Sequence, residues 1–126
     1  MLVAWGWEEH SDHERVAKWL ALERGKADTG FLTSPIPELG FVRVSVQRAA
    51  GTIATKEACS ALQGMLASLG NAHSFIPDDQ RGTQLPAWCT GAARTTDAYL
   101  LALANAHDAK LATLDKGIPD AFIVPT

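Results

Sequence analysis

Cysteine is scarce in this chain of 126 residues: only Cys59 and Cys89 occur, and they form no CxxC pair. Two isolated thiols argue against a disulfide scaffold and fit a reducing cytoplasm. No apolar run is long enough to cross a bilayer. The apolar opening Met1-Leu2-Val3-Ala4-Trp5 lacks the basic start and small-residue cleavage site of a secretory signal. There is no internal repeat, low-complexity tract or linker. Neither G-x-G-x-x-G nor a P-loop is present, which counts against a Rossmann-like nucleotide binder. Basic charge is not in excess either. Eleven Lys and Arg against fourteen Asp and Glu leave a net charge of −3, which disfavours holding a polyanion by bulk electrostatics.

What is there fits one soluble domain with one core over residues 1–126: 47% of residues are hydrophobic and 20% charged. Ser11-Asp12-His13-Glu14 has capping-box form and opens a helix with Val16, Trp19 and Leu20 on its apolar face, ending near Gly25. Residues 30–33 read as a short strand. Ser34 before Pro35 has the form of an N-cap with proline at the first helical position. Pro35, Leu39, Val42 and Val46 would share a helical face, yet Val42 to Gln47 also alternates with the period of a half-buried strand. Thr55 suits the cap of another helix, with Ala58, Leu62, Met65, Leu66 and Leu69 inward and Gly70 as its terminator. Strands are predicted at 73–76, 110–114 and 121–124, a helix at 96–107, and irregular chain with one short helical piece at 78–94. Such alternation implies an α/β fold with a parallel sheet and helices on both faces.

The most informative stretch is Thr95-Thr96-Asp97-Ala98-Tyr99-Leu100-Leu101-Ala102-Leu103-Ala104, followed by Lys110-Leu111-Ala112-Thr113-Leu114-Asp115. It reads as a helix capped by Thr95 or Thr96 with an acid in its first turn, then a strand ending in a second acid. Helix N-termini and strand C-termini share one edge of an α/β sheet, so acids eighteen positions apart can converge there. Taken singly, Asp97 can simply complement the helix dipole and Asp115 can be a turn aspartate. Glu38, near the N-terminal end of a helix begun at Ser34, can equally be a solvated acid. Clustered carboxylates are the oxygen donors that hard divalent ions take, and such ions offset their negative charge locally.

These segments resemble the PIN-domain nucleases, and specifically the VapC-type toxins of bacterial toxin–antitoxin pairs. Pro35-Ile36-Pro37-Glu38-Leu39-Gly40-Phe41-Val42-Arg43-Val44 looks like the second acidic motif and Thr96 to Ala104 like the third. Leu111 to Ile118 looks like the strand bearing the fourth acid, with Thr113 as the supporting polar residue two before it. His73 to Asp78 and Leu2 to Trp5 also match the layout, and the resemblance favours a helix over the segment that follows Ser34. It implies a three-layer α/β/α fold with a mostly parallel central sheet. It further implies a ribonuclease using Mg²⁺ or Mn²⁺ held by Glu38, Asp97 and Asp115, neutralised by a VapB-like antitoxin and often homodimeric, in the cytoplasm.

The family's first acid, in an Asp-x-Asn pattern ending the first strand, has no counterpart; Glu8, Glu9 and Asp12 fall too late. Either the start has been set downstream of the true one, or the first strand is truncated and a ligand lost. The second case gives the rival reading, an inactive PIN-like module that only binds its antitoxin or itself. His10, Asp12 and His13 form a polar cluster that suits zinc less well than an ordinary helix start. His73 and His107 have no evident partner in sequence. Trp5, Trp7, Trp19 and Trp88 suit packing better than base stacking. Arg43, Arg48, Arg81, Arg94, Lys110 and Lys116 are either a local basic rim or scattered solvated charges. The first-acid gap gives a direct expectation. The chain as given cleaves RNA weakly or not at all with Mg²⁺, and a version extended through upstream in-frame codons cleaves it. Equal activity of the two refutes this.

Overall fold

The computed structural model describes residues 1–126, which form two compact units: Met1–Pro77 with Thr126, and Asp78–Pro125. The first unit holds α1 (Leu2–Gly6), α2 (His13–Arg24), β1 (Phe31–Thr33), α3 (Pro35–Arg48), α4 (Thr55–Ser68) and β2 (His73–Phe75). The second holds α5 (Thr95–Ala106), β3 (Ala112–Thr113) and β4 (Phe122–Ile123). The α/β class and the parallel pairing agree with the sequence. The pairing is in two separate ladders, however: β1 runs parallel to β2, and β3 parallel to β4. Each strand has only two or three residues. The backbone N–H of Ile76 donates to the Thr33 carbonyl at 2.9 Å, and Pro77, which has no N–H, then stops the ladder. No helix is long and apolar enough to cross a membrane.

Residues 35–48 form one continuous helix. Its inward residues differ from those expected. Phe41 and Ser45, one turn apart, are buried, whereas Leu39 is 66% exposed and Val42 and Val46 are half-buried. The reason is the neighbour that α3 meets: α1 packs against α2, α3 and α4, and α3 against α4. Trp7, just after α1, donates its indole N–H to the buried Ser45 hydroxyl at 3.0 Å, which fixes the polar Ser45 on the packed face. In α4, Ala58, Leu62 and Leu69 are buried, as their spacing predicts, with Met65 and Leu66 half-buried.

Two helix starts depart from expectation for local reasons, and a third falls where expected without its side-chain bond. Asp12, not Ser11, is the N-cap of α2. No side-chain capping bond forms there, because the Asp12 carboxylate lies 3.4 Å from Arg15 while its N–H donates to His10 Nδ1. Ser34 is the N-cap of α3 with Pro35 following, but its buried hydroxyl makes no capping bond. Ala54, not Thr55, caps α4, and its N–H donates to the Glu57 carboxylate at 3.1 Å.

Gly6, the last residue of α1, is where that short helix presses closest on its neighbours. A Cβ there would lie 2.7 Å from Phe41 Cε2 and 2.9 Å from Met65 Sδ. Gly6→Ala is therefore expected to destabilise the protein by about 1–3 kcal/mol through overpacking. The check is a lowered urea midpoint at unchanged m-value.

Candidate functional site

The sequence-predicted acids fall in both units. In the second unit, a 3₁₀ turn at Ala92–Arg94 runs directly into α5. The turn replaces the extended residue that a threonine cap would need. The N-cap is Arg94, no side chain caps the helix, and the Thr95 hydroxyl donates back to the Ala92 carbonyl at 2.9 Å. Asp97 is still in the first turn, as expected. Asp115 follows β3 by two residues, at the start of a connection that returns the chain to β4 within eight residues, 114–121.

That connection is held by three kinds of contact. The backbone N–H of Asp115 donates to the Thr113 hydroxyl at 3.0 Å, and the N–H of Gly117 donates to Asp115 Oδ1 at 2.7 Å, an Asx-type turn. Arg94 donates from both Nη atoms to the Gly117 carbonyl, at 2.9 and 2.6 Å. Its guanidinium also lies 5.5 Å from the Trp88 ring centroid, within cation–π range. Gly117 permits this approach, since a Cβ there would collide with the guanidinium and come within 3.1 Å of Asp115 Oδ1.

The two aspartates feel each other. Asp97 is half-buried, and its carboxyl is pushed above the ordinary aspartate range, first by loss of solvent and then by the negative charge of Asp115. Arg94 pulls in the opposite direction and is outweighed. A carboxylate that merely complemented the helix dipole would be favoured in its charged form. The upward shift instead marks a half-buried carboxyl facing a second negative charge on the exposed Asp115. The donors of the two are all oxygen, and their charge calls for a cation, so the pair suits a hard divalent ion such as Mg²⁺ or Mn²⁺.

Glu38 belongs to the first unit, in the first turn of α3. The buried Thr33 hydroxyl donates to its Oε2 at 2.6 Å, and the same hydroxyl lies 2.7 Å from His73 Nε2. The sequence shows no partner for His73 and gives Thr33 no role beyond its strand; the two stand forty positions apart and meet only through strand pairing. It likewise shows Arg94 only as a basic residue, not as a structural clamp, and no partner for His107, whose Nε2 is 3.0 Å from Asp79 Oδ2. Asp79 is held below the usual carboxylate range, mainly by the Gln80 side-chain amide and secondarily by His107.

No group of three or more His, Cys, Asp or Glu side chains is gathered as a metal cluster. In the zinc alternative at His10, Asp12 and His13, one ring nitrogen of each histidine is in other use. His10 Nδ1 accepts from the Asp12 N–H, and His13 Nδ1 faces the Ala4 carbonyl at 3.0 Å. The tryptophans pack: Trp19 meets Phe31 edge-on at 6.1 Å, and Arg48 lies over Trp7. Cys59 and Cys89 are free thiols.

The raised Asp97 value has a sign that can be tested. The fold favours the protonated carboxyl, so the contribution of Asp97 to stability is present below the unfolded value of about 3.9 and lost as pH rises through the folded one. At neutral pH the ionised group is a net cost. Asp97→Asn is therefore expected to melt at a higher temperature than the parent at pH 7 in EDTA. The difference should shrink as pH falls through the carboxyl range.

No family model and no solved structure matches the chain. Individual relatives do. It is 35% identical over 133 residues to Ribonuclease VapC29 of Mycobacterium tuberculosis, spanning all of this chain and 92% of that protein. It is 30% identical to Ribonuclease VapC39 of the same organism, over 96% of this chain and 88% of that protein. With Ribonuclease VapC38 the identity is 34%, over 93% and 82%. Similarity of this extent to several such proteins, running through both acid-bearing units, places the chain in the VapC ribonuclease family.

Proposed function

We propose that this protein is a metal-dependent endoribonuclease of the VapC toxin type, with Asp97 and Asp115 as the carboxylates that hold the ion and Glu38 as a further acid of the same chemistry. The observation that carries this reading is the Asp97–Asp115 pair, with Asp97 raised by burial and by its neighbour's charge. The similarity to proteins named as ribonucleases over nearly their whole length supports the reaction class. Among the partners, RNA is the substrate, and a VapB-like antitoxin is the neutralising protein.

Phosphodiester hydrolysis needs an activated water and stabilisation of the departing oxygen; bound Mg²⁺ or Mn²⁺ would supply both, by lowering the pKa of a bound water and by its charge. The chain's own share is to present carboxylate oxygens in fixed positions. Asp97 is set by the first turn of α5. Asp115 is set by its own turn, by Thr113, and by the loop that Arg94 grips through Gly117. Glu38 is set by Thr33. The inactive-module alternative gains nothing from these observations, because a half-buried carboxylate facing a like charge is a cost without a ligand.

Mn²⁺ titration followed by electron paramagnetic resonance tests the reading. Asp97→Asn, Asp115→Asn and Glu38→Gln should each weaken Mn²⁺ binding by at least about 100-fold, the upper end of what losing a mere outer-shell partner costs. Wild-type binding in Asp97→Asn would sink the assignment.

A further inference from the structure

We propose that His73 is a positioning residue for Glu38 and acts through the Thr33 hydroxyl; this rests on the reading of Glu38 as an acid of the nuclease chemistry. The argument begins with a count of protons. An ionised carboxylate only accepts, and a threonine hydroxyl has one proton to give. Thr33 gives it to Glu38 Oε2 at 2.6 Å, in the short range of a hydrogen bond to a charged oxygen. The Thr33 oxygen therefore meets His73 with a lone pair. At 2.7 Å, His73 Nε2 must carry the hydrogen that fills the contact. The chain of donation runs from imidazole to hydroxyl to carboxylate, and each bond polarises the next.

Strand register builds this chain. In the parallel ladder Phe31 is opposite His73 and Thr33 opposite Phe75. Phe31 and Thr33, two apart, lie on one face, so His73 and Thr33 are diagonal neighbours, a separation that a long side chain spans. Thr33 ends β1, and its carbonyl is fixed by the Ile76 N–H. Glu38 projects from the α3 turn that begins directly after Ser34. Two side chains from two paired strands thus hold a glutamate that would otherwise sample several rotamers. Oε2 is the tethered oxygen, and Oε1 is the one left for a ligand.

Two experiments test this. In the unmodified chain with ¹⁵N-labelled histidine, long-range ¹⁵N–¹H correlation at pH 8 should show His73 protonated at Nε2. A spectrum with the proton on Nδ1 alone would overturn the proposal without any variant having to fold. In Mn²⁺ titrations, His73→Leu and Thr33→Val should each weaken binding roughly 10–100-fold, as loss of an outer-shell partner does. Thr33→Ser and His73→Gln, which keep the hydroxyl and an N–H donor, should stay near the parent. In a Glu38→Gln background His73→Leu should cost nothing more. If His73→Leu binds Mn²⁺ as the parent does while Glu38→Gln is impaired, the positioning role is refuted and the nuclease reading stands. If Glu38→Gln itself binds like the parent, the role assigned to Glu38 fails, and the proposal with it.

Discussion

A half-buried carboxylate held against a second negative charge is the constraint on which the second unit depends. Asp97 would ionise readily in open water. Burial at the start of α5 and the facing charge of Asp115 make that harder. The surrounding structure is arranged to hold this arrangement rather than to relieve it. Arg94 is near enough to offset part of the charge, yet its donors are directed to the Gly117 carbonyl, not to a carboxylate. The negative field is therefore only partly cancelled, as a cation-holding site requires.

The two units treat their acids by different physical means. In one, a carboxylate is made uncomfortable by desolvation and a like charge. In the other, Glu38 is made comfortable by a short bond from a buried hydroxyl. The first device concentrates charge, and the second fixes direction.

How far this was legible in the sequence follows from the range of each interaction. The α5–β3 block was legible because its signals are local: an apolar run from Ala98 to Ala104, an acid in the first turn, and a turn-forming Asp115 before Lys116-Gly117. The Val42–Gln47 stretch was ambiguous because two periods fit it. Its buried face was misread because Ser45, a polar residue, earns its place by bonding Trp7 from another helix. The threonine cap of α5 failed because a 3₁₀ turn occupies the place of the cap, which no residue pattern marks. His73 was opaque since its partner is forty positions away across a ladder, and Arg94 because its partner is a backbone carbonyl. A continuous sheet was expected from the alternation of elements, which specifies class and strand direction but not how many strands join.

The grip of Arg94 on a carbonyl rather than on a side chain has a bearing on how freely this family can diversify. A main-chain oxygen is the same whatever residue carries it. The exposed neighbours Lys116 and Pro119 are therefore open to drift in size and charge while the anchor persists. Gly117 is barred from change by the guanidinium lying against its Cα, Ile118 is buried, and Asp120 holds a left-handed φ of 65° that narrows its replacements. Variation at the exposed loop positions is thus uncoupled from the placement of Asp115, and the surface beside that carboxylate can be rewritten without disturbing it.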